Sequence, residues 1–283
     1  MKRLVFDVPE STFDICLPGD THEGSVSYHE KGVKQLIDYI LEKPSRYWAN
    51  MGDWIEAITT DDKRYAWNQK ECPIPVKQAD AAVETFRPIA SKCFCGLIGN
   101  HELKLHRFGN LVKDIICKEL NIPYGAYMAH VDVKFEGKKL FSMMLWHGPI
   151  RGGLTSNAKD YEQAMANMKS SLKMKLKYMV SDCAIQACGH FHRLLIVPPT
   201  KQLYIYTSGS KLKQGYLDGI QTGDYIDPDR RYYLCTGSFS KLYPDDDEAI
   251  GYAEVSGYKP VELGFPVIHV IDGKIVGVEP IVV

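Results

Sequence analysis

Long apolar runs are missing from this 283-residue sequence: none approaches the roughly 18 residues that a membrane-spanning helix needs. The start, Met1-Lys2-Arg3-Leu4-Val5-Phe6-Asp7, lacks the extended apolar core of a secretory leader. Cytoplasmic residence without a membrane partner is therefore expected. An excess of one charge is missing too, since 34 Lys and Arg face 35 Asp and Glu, for a net charge of −1. No global field draws the chain to nucleic acid, although a local basic strip is compatible with neutrality. There is no CxxC pair. The eight cysteines (Cys16, Cys72, Cys93, Cys95, Cys117, Cys183, Cys188 and Cys235) lie scattered, as expected of reduced packing residues and not of a metal knuckle. Repeats and low-complexity tracts are absent as well, which leaves an ordinary globular chain, 45% hydrophobic and 24% charged.

What is present alternates short β-like runs with helical periods, the pattern of a layered α/β architecture. Strands are expected at Thr12–Leu17, Arg46–Met51, Cys93–Ile98, Val131–Phe135, Leu140–Trp146 and Cys183–Cys188. Val33, Leu36, Ile37 and Ile40 fall at helical spacing, as do Leu111, Ile115 and Ile116. A further helix carries Met165, Met168, Leu172, Leu176 and Met179 on one face and Lys169, Lys173 and Lys177 on another. After residue 192 the texture becomes β-like runs broken by Gly, Pro and Asp. Strands are expected at Leu203–Thr207 and Arg231–Thr236, and a closing hairpin turns at Asp272-Gly273 between Pro266–Ile271 and Lys274–Val283.

Five short clusters each end a predicted strand with metal-binding residue types. In order they are Gly19-Asp20-Thr21-His22, Gly52-Asp53, Gly99-Asn100-His101-Glu102, His147-Gly148 and Gly189-His190-Phe191-His192. Alone, a Gly-Asp pair is a common turn and a single histidine is more often packed or solvated than a ligand. Together they supply seven donors from separate chain segments, and carboxylate, amide carbonyl and imidazole in combination suit manganese, iron or zinc. In Asp20-x-His22 and His190-x-His192, an extended chain would aim both members at one site. The neighbouring glycines permit tight turns in which loop tips crowd around small ions.

From about Asp20 to His192 the ordered set resembles the calcineurin-like metallophosphoesterase family. The resemblance implies an α/β fold, a four-layer α-β-β-α sandwich with mixed β-sheets and the metals where strands end in loops. The chain is then a single domain, 1-283, with a metal-binding core over 1-192 and a β-rich part over 193-283 that completes the sandwich and the substrate loops. One of two divalent ions would take Asp20, His22 and His192, the second Asn100, His147 and His190, with Asp53 bridging. Manganese is the first expectation, with iron, zinc, nickel and magnesium as alternatives. His101 resembles the family's protonating histidine. Glu56 stands where protein phosphatase members carry an aspartate that orients this histidine, but Ala57 stands where they carry arginine, which weakens a phosphoprotein phosphatase reading.

The activity implied is hydrolysis of a phosphate ester by a bimetal-activated hydroxide, with a phosphodiester in DNA, RNA or a nucleotide as substrate. A phosphomonoesterase of a small metabolite or nucleotide is the alternative, and a non-catalytic protein-binding scaffold is a third reading. Asn100 and Arg151 are the candidate substrate contacts, Arg151 because a guanidinium grips two phosphate oxygens; a solvated loop arginine would look the same. Lys169, Lys173 and Lys177 either line a backbone path or form a solvated helix face. His29, His106, His130 and His269 lack partner spacing and are read as structural or surface residues. The sequence leaves the oligomeric state open.

Overall fold

The computed structural model describes residues 1–59, 74–216, 222–245 and 249–283, so Cys72 lies outside the described residues. In chain order the elements begin with β1 (Lys2–Val8), β2 (Phe13–Cys16), α1 (Glu30–Glu42), β3 (Arg46–Asn50), α2 (Pro75–Phe86), β4 (Cys93–Leu97), α3 (Asn100–Leu103) and β5 (Tyr124–Ala126). They continue with β6 (Met128–Phe135), β7 (Lys138–Trp146), α4 (Tyr161–Leu176), β8 (Ile185–Cys188), β9 (Leu194–Val197), β10 (Leu203–Ser208) and β11 (Lys211–Tyr216). Last come β12 (Tyr232–Thr236), α5 (Tyr252–Val255), β13 (Gly264–Ile271) and β14 (Lys274–Val282).

Two six-stranded mixed sheets form, one ordered β1-β6-β7-β8-β12-β9 and the other β14-β13-β2-β3-β4-β5. Their facing sides carry Ile15, Ala49, Leu97, Val131, Met143 and Leu234, all buried, as the shared core. A second apolar layer places Val33, Leu36 and Ile40 of α1 and Ala79, Val83 and Phe86 of α2 against the outer side of the second sheet. A third places Met168, Leu172 and Leu176 of α4 against Met144, Cys188 and Tyr233 of the first. The result is the four-layer α-β-β-α sandwich expected from the sequence. Strands from beyond residue 193 enter both sheets: β9 and β12 join the first, β13 and β14 the second, while β10 and β11 pair only with each other.

Local chemistry sets several boundaries. Proline at the first position of α2 forfeits a hydrogen bond that the position does not make. Asp160 caps α4 by accepting from the Gln163 backbone N–H at 2.8 Å. Asp272 (φ 49°) and Gly273 (φ 74°) form the tight turn of the β13–β14 hairpin, as their sequence predicts. The periodic stretch around Leu111–Ile116 is helical, as expected, and winds as a π-helix over Val112–Cys117. One expectation needs correction. α4 ends at Leu176, so Met179 lies past it and is 40% exposed instead of completing the buried face. β1 and α2 were not foreseen. All seven cysteines among the described residues are buried and unpaired, as packing residues should be.

Candidate metal centre

β2, β3 and β4 run side by side and parallel in one sheet, and β7 and β8 do so in the other. The five motif loops follow the carboxyl ends of these five strands, so two parallel bundles present their loops at one edge of the sandwich. The backbone there is unusual. Asp20 (φ 52°), His22 (φ 52°), Asp53 (φ 51°), His190 (φ 70°) and His192 (φ 50°) all occupy the left-handed region. They are five of the ten non-glycine residues that do so among the described residues, and the other five are scattered through the fold. This corrects the reason given for the x-spaced pairs. Asp20 with His22, and His190 with His192, reach one place through successive left-handed turns and not through extended chain.

Hydrogen bonds hold those turns. Asp20 N–H donates to Gly52 O at 2.9 Å, His22 N–H to Asp53 O at 3.0 Å, and the Asp20 carboxylate accepts from His190 N–H at 2.9 Å. After β12, Phe239 N–H and Ser238 Oγ donate to Asp20 O at 3.1 and 3.2 Å. Trp54 Nε1 donates to Leu97 O at 2.8 Å, pinning the Asp53 loop to β4. Crowding is extreme at Gly99, where a Cβ would sit 2.0 Å from Asp53 Oδ1 and 2.2 Å from Asp53 N. Only glycine lets these two loops touch.

All seven predicted donors converge in two connected groups. Ligand atoms of Asp20, His22 and His192 lie within 4.8 Å of one another, as do those of Asp53, His147 and His190. His22 Nε2 and His192 Nε2 are 3.1 Å apart, and His192 Nε2 is 3.5 Å from Asp20 Oδ1. Such spacings match the edge of a coordination polyhedron, about 3.0–3.4 Å for bonds near 2.1 Å. Asp53 Oδ2 lies 3.3 Å from His147 Nε2 and 3.9 Å from His22 Nε2, between the groups. Asn100 Oδ1 is 2.9 Å from His147 Nε2.

The donor chemistry itself tests the fit of a cation. His147 Nδ1 lies 2.8 Å from Met51 O, a carbonyl that only accepts, so Nδ1 carries the proton and Nε2 presents a lone pair. That lone pair faces Asp53 Oδ2 and Asn100 Oδ1, two further electron-rich atoms, and only a proton or a metal ion reconciles the three. Burial pulls the His147 pKa down, yet the Asp53 and Asp20 carboxylates outweigh it and raise the value to about 10. His22 behaves alike: burial opposes the charge, but Glu56, Asp53 and Asp20 lift its pKa to about 9. Burial pushes the Asp53 carboxyl up, while His147, His101 and His22 more than reverse this and hold it well below the carboxylate range. The site thus demands positive charge. A divalent cation suits this donor chemistry, and Asp20, His22 and His192, like Asp53, His147 and His190, are grouped closely enough to hold one.

His101 Nδ1 donates to the Glu56 backbone carbonyl at 2.6 Å, and His101 N–H donates to Asp53 Oδ1 at 2.9 Å. The Glu56 carboxylate lies 2.9 Å from His22 Nδ1 and 3.7 Å from His101 Nδ1, so it serves both rings. Glu102 belongs to the third motif but drew no role from the sequence. Its two oxygens accept from Ile55 N–H at 3.1 Å and Gly99 N–H at 2.8 Å, tying two donor loops together. Tyr127 packs edge-on against His147, 5.4 Å between ring centroids, and nothing in its sequence context marks it.

Other expectations fall away from the centre. Arg151 is exposed in the loop after His147 and makes no hydrogen bond or ion pair among the described residues. Lys173 pairs with Asp229 at 2.5 Å, Lys177 lies over the Tyr178 ring, and Lys169 is exposed. The lysine near the site is instead Lys175, 5.8 Å from the Phe191 ring centroid, between His190 and His192 in sequence. His130 groups with Asp182 and Cys183 well down the first sheet. There the Lys139 ammonium, 3.0 Å from Asp132 and 3.6 Å from Asp182, already takes the place of a cation.

No family model matches the chain, and no curated protein matches it. It is similar to several solved structures. They include Vps29 complexed with zinc from Entamoeba histolytica (11% identity, 95% of this chain and 99% of that one, TM-score 0.37). Another is the calcineurin-like phosphoesterase YfkN from Bacillus subtilis (13% identity, 97% and 91%, TM-score 0.39). A third is a conserved uncharacterized protein from Streptococcus pneumoniae TIGR4, described as a predicted phosphoesterase (10% identity, 93% and 85%, TM-score 0.33).

Proposed function

We propose that this chain is a two-metal phosphoesterase that hydrolyses a phosphodiester in a nucleic acid or nucleotide, with manganese as its working ion. The observation that carries this reading is the position of Asp53 Oδ2 between His147 Nε2 and His22 Nε2, with the remaining donors grouped on either side. A complete donor set also argues against a scaffold that has lost catalysis. Divalent ions held by these residues would supply hydroxide at neutral pH and would offset the charge of the phosphate oxygens.

The chain's own residues do the rest. Met51 O fixes the His147 tautomer, so Nε2 is presented as a ligand without a search among ring orientations. Glu56 O holds His101 by Nδ1, which leaves its Nε2 to carry a proton to the departing oxygen, while the Glu56 carboxylate supports the imidazolium charge. Asp20, His22, Asp53 and His147 are buried, which keeps competing water away from most of the cage. No helix among the described residues is long and apolar enough to cross a membrane, in keeping with a cytoplasmic enzyme.

The test compares manganese-loaded protein on bis(4-nitrophenyl) phosphate and 4-nitrophenyl phosphate, with Asp53→Ala as the blank. Diester turnover that disappears in the variant is expected. Faster turnover of the monoester would overturn the diester assignment, and two bound manganese ions with no turnover of either ester would overturn the enzymatic one.

A further inference from the structure

A cavity of about 400 Å³ lies between the loop after His147, the start of α4, β9 and the segment around Lys259–Glu262. Its size is that of a small-molecule pocket. One wall is apolar: Leu154 and Leu195 with the thioether side chains of Met165 and Met168. Thioethers make favourable contacts with aromatic rings. The rim is basic, with Lys159, Arg193 and Lys259 against Asp160 and Glu262. Both carboxylates are engaged, Asp160 as the cap of α4 and Glu262 as the acceptor for Tyr161 Oη at 3.2 Å. The Arg193 backbone O accepts from Gly237 N–H at 3.0 Å, and its guanidinium makes no hydrogen bond or ion pair among the described residues.

Adjacency along the chain links this cavity to the metal centre. Asp20, His22, Asp53 and His147 are buried, but His192 keeps 37% of its side chain exposed, so solvent and substrate approach the cage on that side. Arg193 is the next residue in the chain, so it stands about 3.8 Å from His192 measured Cα to Cα. The loop that carries Leu154 begins at His147, passes Lys175 at Gly152 and reaches the cavity opposite Arg193 and Leu195.

Resting on the phosphoesterase reading, we propose that this cavity binds the nucleoside of a nucleotide diester, with the base against Met165 and Met168 and Arg193 on the phosphate at the mouth. A flat ring with polar edges suits a cavity with thioethers on one wall and charged groups at its rim, and an unpaired guanidinium suits an anion. The methyl ester of the same phosphate would leave the cavity empty.

The test uses two diesters with one leaving group, thymidine 5′-(4-nitrophenyl phosphate) and methyl 4-nitrophenyl phosphate, on manganese-loaded protein. The expected result is a preference of at least about tenfold in kcat/KM for the thymidine ester, lost when Ala164→Trp fills the cavity and reduced by Arg193→Gln. Equal kcat/KM for both esters in the unmodified protein overturns the proposal, as does a preference that survives both substitutions. Should Ala164→Trp not fold, the unmodified protein and Arg193→Gln decide alone. Hydrolysis of neither ester would sink the phosphodiesterase reading, and the cavity is then judged by saturation-transfer NMR with thymidine 5′-monophosphate and metal-free protein. Saturation of the base protons that Ala164→Trp abolishes upholds the pocket, and no saturation in the unmodified protein overturns it.

Discussion

Left-handed backbone at Asp20, His22, Asp53, His190 and His192 costs free energy at each residue, of order 1–3 kcal/mol where the conformation is sparsely populated. Asp and His tolerate it better than most side chains, yet five such residues in one cage need a compensating interaction. The loop bonds to Asp20 and His22 supply part of it, and bound cations would supply the rest. Gly99 shows how little slack remains. Gly99→Ala must displace Asp53, whose Oδ1 is 2.0 Å from the new Cβ, and is expected to lower manganese affinity by about 10–100-fold, measured by titration calorimetry. Wild-type affinity in that variant would show that the loops are loose. His101→Ala makes a contrasting case: its ring groups with His22 and Asp53, but its Nδ1 is engaged by Glu56 O and the proposed function assigns it to proton transfer and not to an ion. It should bind manganese normally and lose about 10²–10⁴ in kcat, most severely with poor leaving groups. A slope of log kcat against leaving-group pKa equal to that of the unmodified protein would remove His101 from the proton-donor role.

At the scale of elements, legibility followed periodicity and punctuation. Strands β2, β3, β4, β7 and β8 were readable because each is a short apolar run that ends at a Gly-bearing loop, and the β13–β14 hairpin was readable from Asp272-Gly273. β1 was missed since it lies at a sheet edge with Val5 exposed and Lys2, Arg3 and Asp7 interleaved, which disguises the inward Leu4 and Phe6. The donors were legible as residue types at strand ends, but not the left-handed turns that aim them. The partners Tyr127 and Ser238 were illegible, since tertiary contact alone brings them to the site. Far from the cage, Asp132 on β6 illustrates another contact that only the fold reveals. Its buried carboxylate accepts from Ser142 Oγ at 2.7 Å and pairs with Lys139 and Arg3, each at 3.0 Å, joining β1, β6 and β7. Burial alone would raise its pKa, but those three partners hold it well below the ordinary carboxylate value. A depressed folded-state pKa means stability that is present in full above the unfolded value, near 3.8, and is lost as pH falls toward the folded one. Asp132→Asn should therefore cost about 1–3 kcal/mol at pH 7, and the difference from the unmodified protein should shrink below pH 4. Urea midpoints at pH 7 and 3.5 check this, and a gap that is constant with pH would contradict it.

For the molecule as a whole, the two sheets meet the solvent at an edge where each contributes donors: Asp20, His22, Asp53 and Asn100 from one, His147, His190 and His192 from the other. Nothing in the shared apolar core fixes the separation of those loops as tightly as an ion bonded to both sets would. Cations that bind the folded chain and not the unfolded one stabilise it by RT ln(1 + [L]/Kd), about 2.7 kcal/mol at a hundredfold excess over Kd. Manganese should therefore raise the thermal midpoint by several degrees, and chelation should reverse the gain. Asp53→Ala separates this linkage from a general salt effect, because among the described residues Asp53 is the carboxylate placed between the two donor groups. Its melting temperature should respond to manganese far less than that of the unmodified protein, although loss of a buried carboxylate among imidazoles also relieves their raised pKa values. An equal manganese response in both proteins would mean that the ion stabilises the chain somewhere other than this edge, and the two sheets would then owe their alignment to the core and to the bonds from His190 N–H to Asp20 and from His147 Nδ1 to Met51 O.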